Sequence, residues 1–124
     1  YSGIEPDEKA FDYVSEQLLA WKPTAPVFLH NEGLREAFPR LRPADQVFCI
    51  EVIEHVPAGE REAFATMLRV LTMGTLWLST PDITKHAHGV LSAAQWRDVL
   101  VSSGFTDITI HEEQWTTLFV CQVR

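Results

Sequence analysis

One run constrains this chain more than any other: Gln46-Val-Phe-Cys-Ile-Glu-Val-Ile-Glu-His-Val56. A mostly apolar stretch passes without a break into two carboxylates and an imidazole. Such a run reads as a buried strand, Gln46 to Ile50, with its polar residues delivered at the carboxyl end. In open α/β sheets ligands bind outside those ends, so chemistry is expected here. Glu51, Glu54 and His55 stand at i, i+3 and i+4, and a helical turn over them would put all three on one face. A second constraint is an absence: the 124 residues contain no glycine-rich phosphate or cofactor loop.

A chain of 124 residues suggests one domain, and 46% hydrophobic with 22% charged residues is ordinary globular composition. The formal net charge of −7 argues against a nucleic acid partner, which needs a basic face. Arg35, Arg40 and Arg42 form the only modest basic patch. Cys49 and Cys121 lie inside apolar runs and read as buried thiols rather than a disulfide or metal pair. That fits a cytoplasmic location. No membrane span, signal peptide or lipidation motif is visible, so no membrane partner is expected. The first residue is Tyr1 rather than Met, which suggests a processed, trimmed or partial chain.

Periodicity supplies the elements. Ser2 to Glu5 looks like the end of a strand. Asp7 is a candidate N-cap for a helix from Glu8 to Ala20, closed by Pro23 and Pro26. Pro26 to His30 is a short strand, and Asn31 to Phe38 a loop with a helical turn. After the strand at Gln46, the segment Glu60 to Leu71 reads as a helix with Ala63, Phe64, Met67, Leu68 and Leu71 inward. Gly74 reads as its C-terminal cap. Thr75 to Ser79 is a strand, and Ser92 can cap a helix from Ala93 to Ser102 with Trp96, Val99 and Leu100 inward. Asp107 to His111 and Thr117 to Val123 are strands joined by a short acidic turn, hence an antiparallel pair. The spacing places the four tryptophans mostly in the core. This alternation defines an α/β domain with a mostly parallel sheet and a C-terminal antiparallel hairpin.

These pieces together are familiar. Gly3-Ile-Glu5-Pro-Asp, Phe48-Cys-Ile-Glu-Val-Ile-Glu-His-Val-Pro57, Leu78-Ser-Thr-Pro-Asp82 and Ser103-Gly-Phe105 stand in an order and spacing that resemble class I S-adenosylmethionine-dependent methyltransferases. The resemblance runs from that family's second strand to its end and implies a Rossmann-like sheet. The family's first strand, with its glycine-rich loop, has no counterpart here. It would lie at the centre of the sheet, so its two neighbours are expected to expose unpaired edges. The chain is thus expected to be the C-terminal part of the family fold.

The resemblance also implies roles. Glu5, ending the first strand, would accept the ribose hydroxyls of the cofactor; otherwise it is a helix-start carboxylate favoured by the dipole. Asn31 or Glu32 would meet the adenine amino group, and Glu51 would line the cofactor site. Glu51, Glu54 and His55, joined by His86 or His88 downstream, look like the divalent cation site of metal-assisted methyltransferases, for Mg²⁺, Mn²⁺ or Zn²⁺. Alternatively His55 lines the pocket or acts as a general base. The expected activity is methyl transfer from S-adenosylmethionine, most readily to an oxygen of a small molecule. The rival from another class is a non-catalytic methyltransferase-like domain for binding or assembly that has lost the cofactor. An exposed sheet edge would favour a homo-oligomer.

Overall fold

The computed structural model of the chain describes residues 1–81 and 91–123. In the first unit, Tyr1–Leu41, β1 (Ser2–Ile4), α1 (Glu8–Trp21) and β2 (Phe28–His30) form a strand-helix-strand unit, followed by the single turn α2 (Leu34–Ala37). β1 and β2 run parallel, with Gly3 opposite Leu29. Asp7 is the expected cap: its carboxylate accepts the Ala10 N–H at 2.8 Å. α1 ends where Lys22 enters the left-handed region at φ 52° and donates to the Leu18 carbonyl. Pro23, with no N–H to offer, cannot extend it.

The second unit, Arg42–Arg124, holds β3 (Ala44–Ile50), α3 (Arg61–Leu71), β4 (Thr72–Pro81), α4 (Ala93–Ser102), β5 (Asp107–Glu112) and β6 (Thr116–Gln122). Their sheet has the order β3-β4-β6-β5. β3 and β4 are parallel, and β6 is antiparallel to both β4 and β5. The expected C-terminal hairpin is present. Among the described residues, β1 bonds only to β2 and β3 only to β4, so each keeps one open edge.

Cross-strand register decides which residues share a face. Cys49 lies beside Leu78 and Leu78 beside Phe119, while Leu76 pairs with Cys121. All five are buried, and α3 packs against β3, β4 and α4. Burying each large apolar side chain here contributes about 1.5–3 kcal/mol. The opposite face is different. Phe48 is 68% exposed and Ile50 51%, which corrects the expectation that this strand is buried throughout. Phe48 instead stacks on Trp77, with ring centroids 6.3 Å apart, and Trp77 donates its indole N–H to Gln46 at 2.7 Å.

Other expectations also shift. On α3 the buried stripe is Arg61, Ala65, Leu68 and Leu71, and Ala63 faces solvent. Arg61 is accommodated because its guanidinium lies over the Trp96 ring, 5.3 Å from the centroid. Of the four tryptophans only Trp96 is fully buried, while Trp21 is 72% and Trp115 63% exposed. Trp21 closes α1 and Trp115 lies in the turn before β6, so neither sits within a packed layer. α4 behaves as expected: Ser92 and Gln95 form a reciprocal capping box, Trp96 and Leu100 are buried, and Gly104 ends the helix region at φ 97°.

Gly74 is not a helix cap. α3 passes straight into β4 at Thr72, and Gly74 lies within that strand. Between Ala44 and Gln46 the register slips, because three steps of β4 oppose two of β3. A Cβ on Gly74 would stand 2.5 Å from the Asp45 carbonyl oxygen. Gly74→Ala should therefore destabilise the chain by about 1–3 kcal/mol in urea unfolding. Gly59→Ala, where a Cβ meets nothing within 4 Å, is the control and should change little.

Both cysteines are free and buried, as expected. Burial pushes each thiol up to about 12, and for Cys49 the negative charge of Glu54 adds to it. An unfolded thiol titrates near 9.0. Above that pH the unfolded chain loses protons that the folded chain keeps. Stability should be unaffected by the thiols below 9 and fall as pH rises toward 12, by at most about 1.4 kcal/mol per pH unit for each thiol. Urea midpoints measured near pH 8 and pH 10 test this; equal midpoints would refute it.

Candidate functional site

In the first unit the candidate residues cluster where β1 gives way to α1. The β1–β2 ladder makes its last step as the Glu5 N–H donates to the His30 carbonyl at 3.0 Å. Pro6 then turns the chain, and the Glu5 carboxylate accepts the Asp7 N–H at 3.0 Å. The carboxylate is thereby held at the start of α1, where the helix dipole favours negative charge. Both sequence expectations for Glu5 concern one geometry: it is a helix-start carboxylate, and it keeps acceptor capacity for further donors.

The two residues after β2 separate. The Asn31 amide group faces the Glu5 and Pro6 carbonyl oxygens, and since both are acceptors its nitrogen, rather than its oxygen, is assigned to that side, at 3.1 and 3.3 Å. Glu32 turns elsewhere: it pairs with Arg40, and its Oε1 lies 3.3 Å from His30 Nδ1. The Arg40 hydrogen bond holds the Glu32 carboxyl below its ordinary range, with Arg40 and His30 adding attraction by charge. Arg40 is the partner that sequence reasoning missed, since it was assigned only to a basic patch.

In the second unit the end of β3 is the focus. Glu51 leaves the strand in the left-handed region, at φ 53°, a conformation that costs a non-glycine residue about 1–2 kcal/mol. The cost is offset by what Glu51 grips. Its N–H lies 3.2 Å from both the Ser79 carbonyl and the Ser79 hydroxyl oxygen. Its Oε1 accepts from the Ser79 hydroxyl at 2.9 Å and from Thr116 Oγ1 at 2.8 Å. The Thr116 hydroxyl also lies 2.8 Å from the Thr80 carbonyl. One carboxylate oxygen thus ties together the ends of β3, β4 and β6.

This geometry corrects the expectation of a shared helical face. The turn after β3 is only a short 3₁₀ segment, Ile53–His55, and it begins after Glu51 has already turned away. Ile53 is fully buried and anchors the turn. The Glu54 side chain is 8% exposed and that of His55 80%, with Glu54 Oε1 3.7 Å from His55 Nε2. Glu54 and His55 are thus adjacent, but Glu51 faces Ser79 and Thr116 instead. Among the described residues, no three His, Cys, Asp or Glu side chains come together as a metal-ion cluster. His86 and His88, expected to complete such a site, lie outside the described residues. Ser79 and Thr116 were missed as site residues. Ser79, ending an apolar strand, had some local signal; Thr116, 65 residues from Glu51, had none.

Also in this unit, a cavity of about 280 Å³ opens at the carboxyl end of β4, lined among others by Thr80, Pro81, Ser92, Glu112, Glu113 and Thr117. No helix among the described residues is long and apolar enough to cross a membrane.

No family model matches the sequence, and no curated protein matches it. Solved structures do. Magnesium protoporphyrin IX methyltransferase from Synechocystis PCC 6803, with bound SAM, superposes with a TM-score of 0.74 at 18% identity, over 98% of this chain and 58% of that one. A SAM-dependent methyltransferase from Archaeoglobus fulgidus gives 0.78 at 8% identity, over 98% and 75%. An O-methyltransferase family protein from Burkholderia thailandensis gives 0.75 at 17%, over 97% and 42%. The chain therefore spans less than two thirds of the Synechocystis enzyme and under half of the Burkholderia protein. At these identities the likeness is one of fold, and the fold is that of class I S-adenosylmethionine-dependent methyltransferases over the portion that the chain spans.

The residues present fit the nucleoside end of such a cofactor. Glu5 offers carboxylate oxygens at a strand end, the acceptor chemistry that a pair of ribose hydroxyls needs. The glycine-rich loop for the methionine end is not among the 124 residues.

The Glu51 clamp makes a prediction of its own. Thr116→Val keeps the β-branched shape of a strand residue but removes the hydroxyl. It should cost about 1 kcal/mol in urea unfolding, with a smaller loss for Glu51→Gln, which retains an acceptor oxygen.

Proposed function

We propose that this chain takes part in S-adenosylmethionine-dependent methyl transfer to an oxygen of a small molecule. The observation that carries the reading is the Glu5 carboxylate, held at the β1–α1 turn by the Asp7 N–H, in a chain with the methyltransferase fold. When bound, S-adenosylmethionine supplies a methyl group activated by a positively charged sulfur. The protein must then hold the donor, align the acceptor and remove a proton. Glu5 accepts the ribose hydroxyls. His55, largely exposed beside Glu54, takes the acceptor's hydroxyl proton at Nδ1, while the nearby Glu54 carboxylate attracts the positive charge that forms. The net charge of −7 favours such an acceptor over a nucleic acid.

Calorimetric titration with S-adenosylhomocysteine tests the cofactor reading. Binding is expected, and Glu5→Ala should weaken it by about 1.5–3 kcal/mol, the loss of hydrogen bonds to a charged group. An unchanged affinity in Glu5→Ala would remove the ribose role. His55→Ala should leave this binding intact and lower turnover of a hydroxyl acceptor by about 10²–10⁴-fold. The second reading is a binding or assembly domain without cofactor. A folded chain that binds no S-adenosylhomocysteine would support it.

A further inference from the structure

We infer that Asn31 is a positioning residue for the nucleoside site: its side-chain amide holds the β1–α1 turn and thereby the aim of the Glu5 carboxylate. This rests on the cofactor reading above and departs from the expectation that Asn31 meets the adenine base.

β1 is only three residues long, and the backbone ladder to β2 ends at the Glu5 N–H. The next residue, Pro6, has no N–H and cannot carry the ladder on. Asn31 directly follows β2, and its side chain continues the pattern from the other side. With the amide oriented so that its donors meet these acceptors, its nitrogen lies 3.1 Å from the Glu5 carbonyl oxygen and 3.3 Å from that of Pro6. A primary amide carries two N–H donors, one for each carbonyl. Side-chain amides commonly stand in for backbone groups at such turns. Two carbonyls of the turn are then fixed on one side, and the Glu5 carboxylate is fixed by the Asp7 N–H on the other. Glu32 does not share this task, since Arg40 and His30 hold its carboxylate.

Donor and acceptor chemistry separates the two roles. Were Asn31 a base contact, its oxygen would accept from the adenine amino group, and Asp would serve as well. As a strut it must donate. Asn31→Asp removes both donors and sets a negative charge against two carbonyl oxygens.

The Asp7 amide gives a readout without any ligand, because it donates to the Glu5 carboxylate. In the chain as it stands, NMR should show this amide exchanging with solvent more slowly than in Glu5→Ala. In Asn31→Asp, and in Asn31→Ala, which adds no charge, most of that protection should be lost while the far-UV spectrum is kept. By calorimetry, Asn31→Asp should weaken S-adenosylhomocysteine about tenfold and shrink the preference over its 2′-deoxy analogue. A merely structural role would leave that preference intact. Unaltered Asp7 amide exchange in both variants, or full affinity in Asn31→Asp, overturns the inference. A chain that binds no S-adenosylhomocysteine overturns the cofactor reading instead, and the Asp7 amide still decides whether Asn31 holds Glu5.

Discussion

Backbone removed from water must bond to backbone, and β4 is where the second unit meets that demand on both sides. β4 pairs in parallel with β3 along one edge and antiparallel with β6 along the other. Leu76, Leu78, Thr80 and Pro81 are all buried along it. Its double pairing sets the register of everything nearby. It brings Cys49, Leu78 and Phe119 into line across three strands, and it fixes Ser79 and Thr80 as the place where the sheet turns polar. The close approach of β3 and β4 at Gly74 belongs to the same constraint, since the bulge there absorbs the register slip before the ladder becomes regular.

The two polar centres are built on one plan. In each, the carboxylate of a glutamate just past a strand end is held by hydrogen bonds. Glu5 is braced by the Asp7 N–H, with Asn31 against its own carbonyl. Glu51 is braced by Ser79 and Thr116. The bracing differs in what it leaves over. Glu5 keeps most of its acceptor capacity with one bond to its carboxylate. One oxygen of Glu51 already serves two hydroxyls, so its first role is to join three strand ends. This division explains why a run with such concentrated acid and imidazole content yields a clamp and a Glu54–His55 pair rather than one cluster.

What the sequence revealed depended on range. The caps at Asp7 and Ser92 were legible because each is a contract between residues three apart. The hairpin β5–β6 was legible because a short turn leaves no other pairing. The parallel strands followed from element order, and the family resemblance from four short motifs in their order and spacing. Gly74 was misread because its reason lies in Asp45 on another strand, which no local pattern contains. The exposure of Phe48 and Ile50 was misread because an apolar run does not say how many of its faces are covered. The trio Glu51, Glu54 and His55 was misread because spacing assumes a helix, and a left-handed residue at its first position breaks the period.

The backbone at Glu51 also narrows the substitutions that the position can accept. A glycine would relax into φ 53° without strain, yet it has no side chain to reach Ser79 or Thr116. Asparagine or aspartate tolerates that backbone better than most residues but is one methylene shorter. A β-branched residue would be strained and could not accept the two hydroxyls. Only glutamate or glutamine combines the reach with the acceptor, and both do so at a conformational cost. Position 51 is therefore one at which few residues can keep both the backbone and the clamp, for reasons of geometry that do not depend on any ligand.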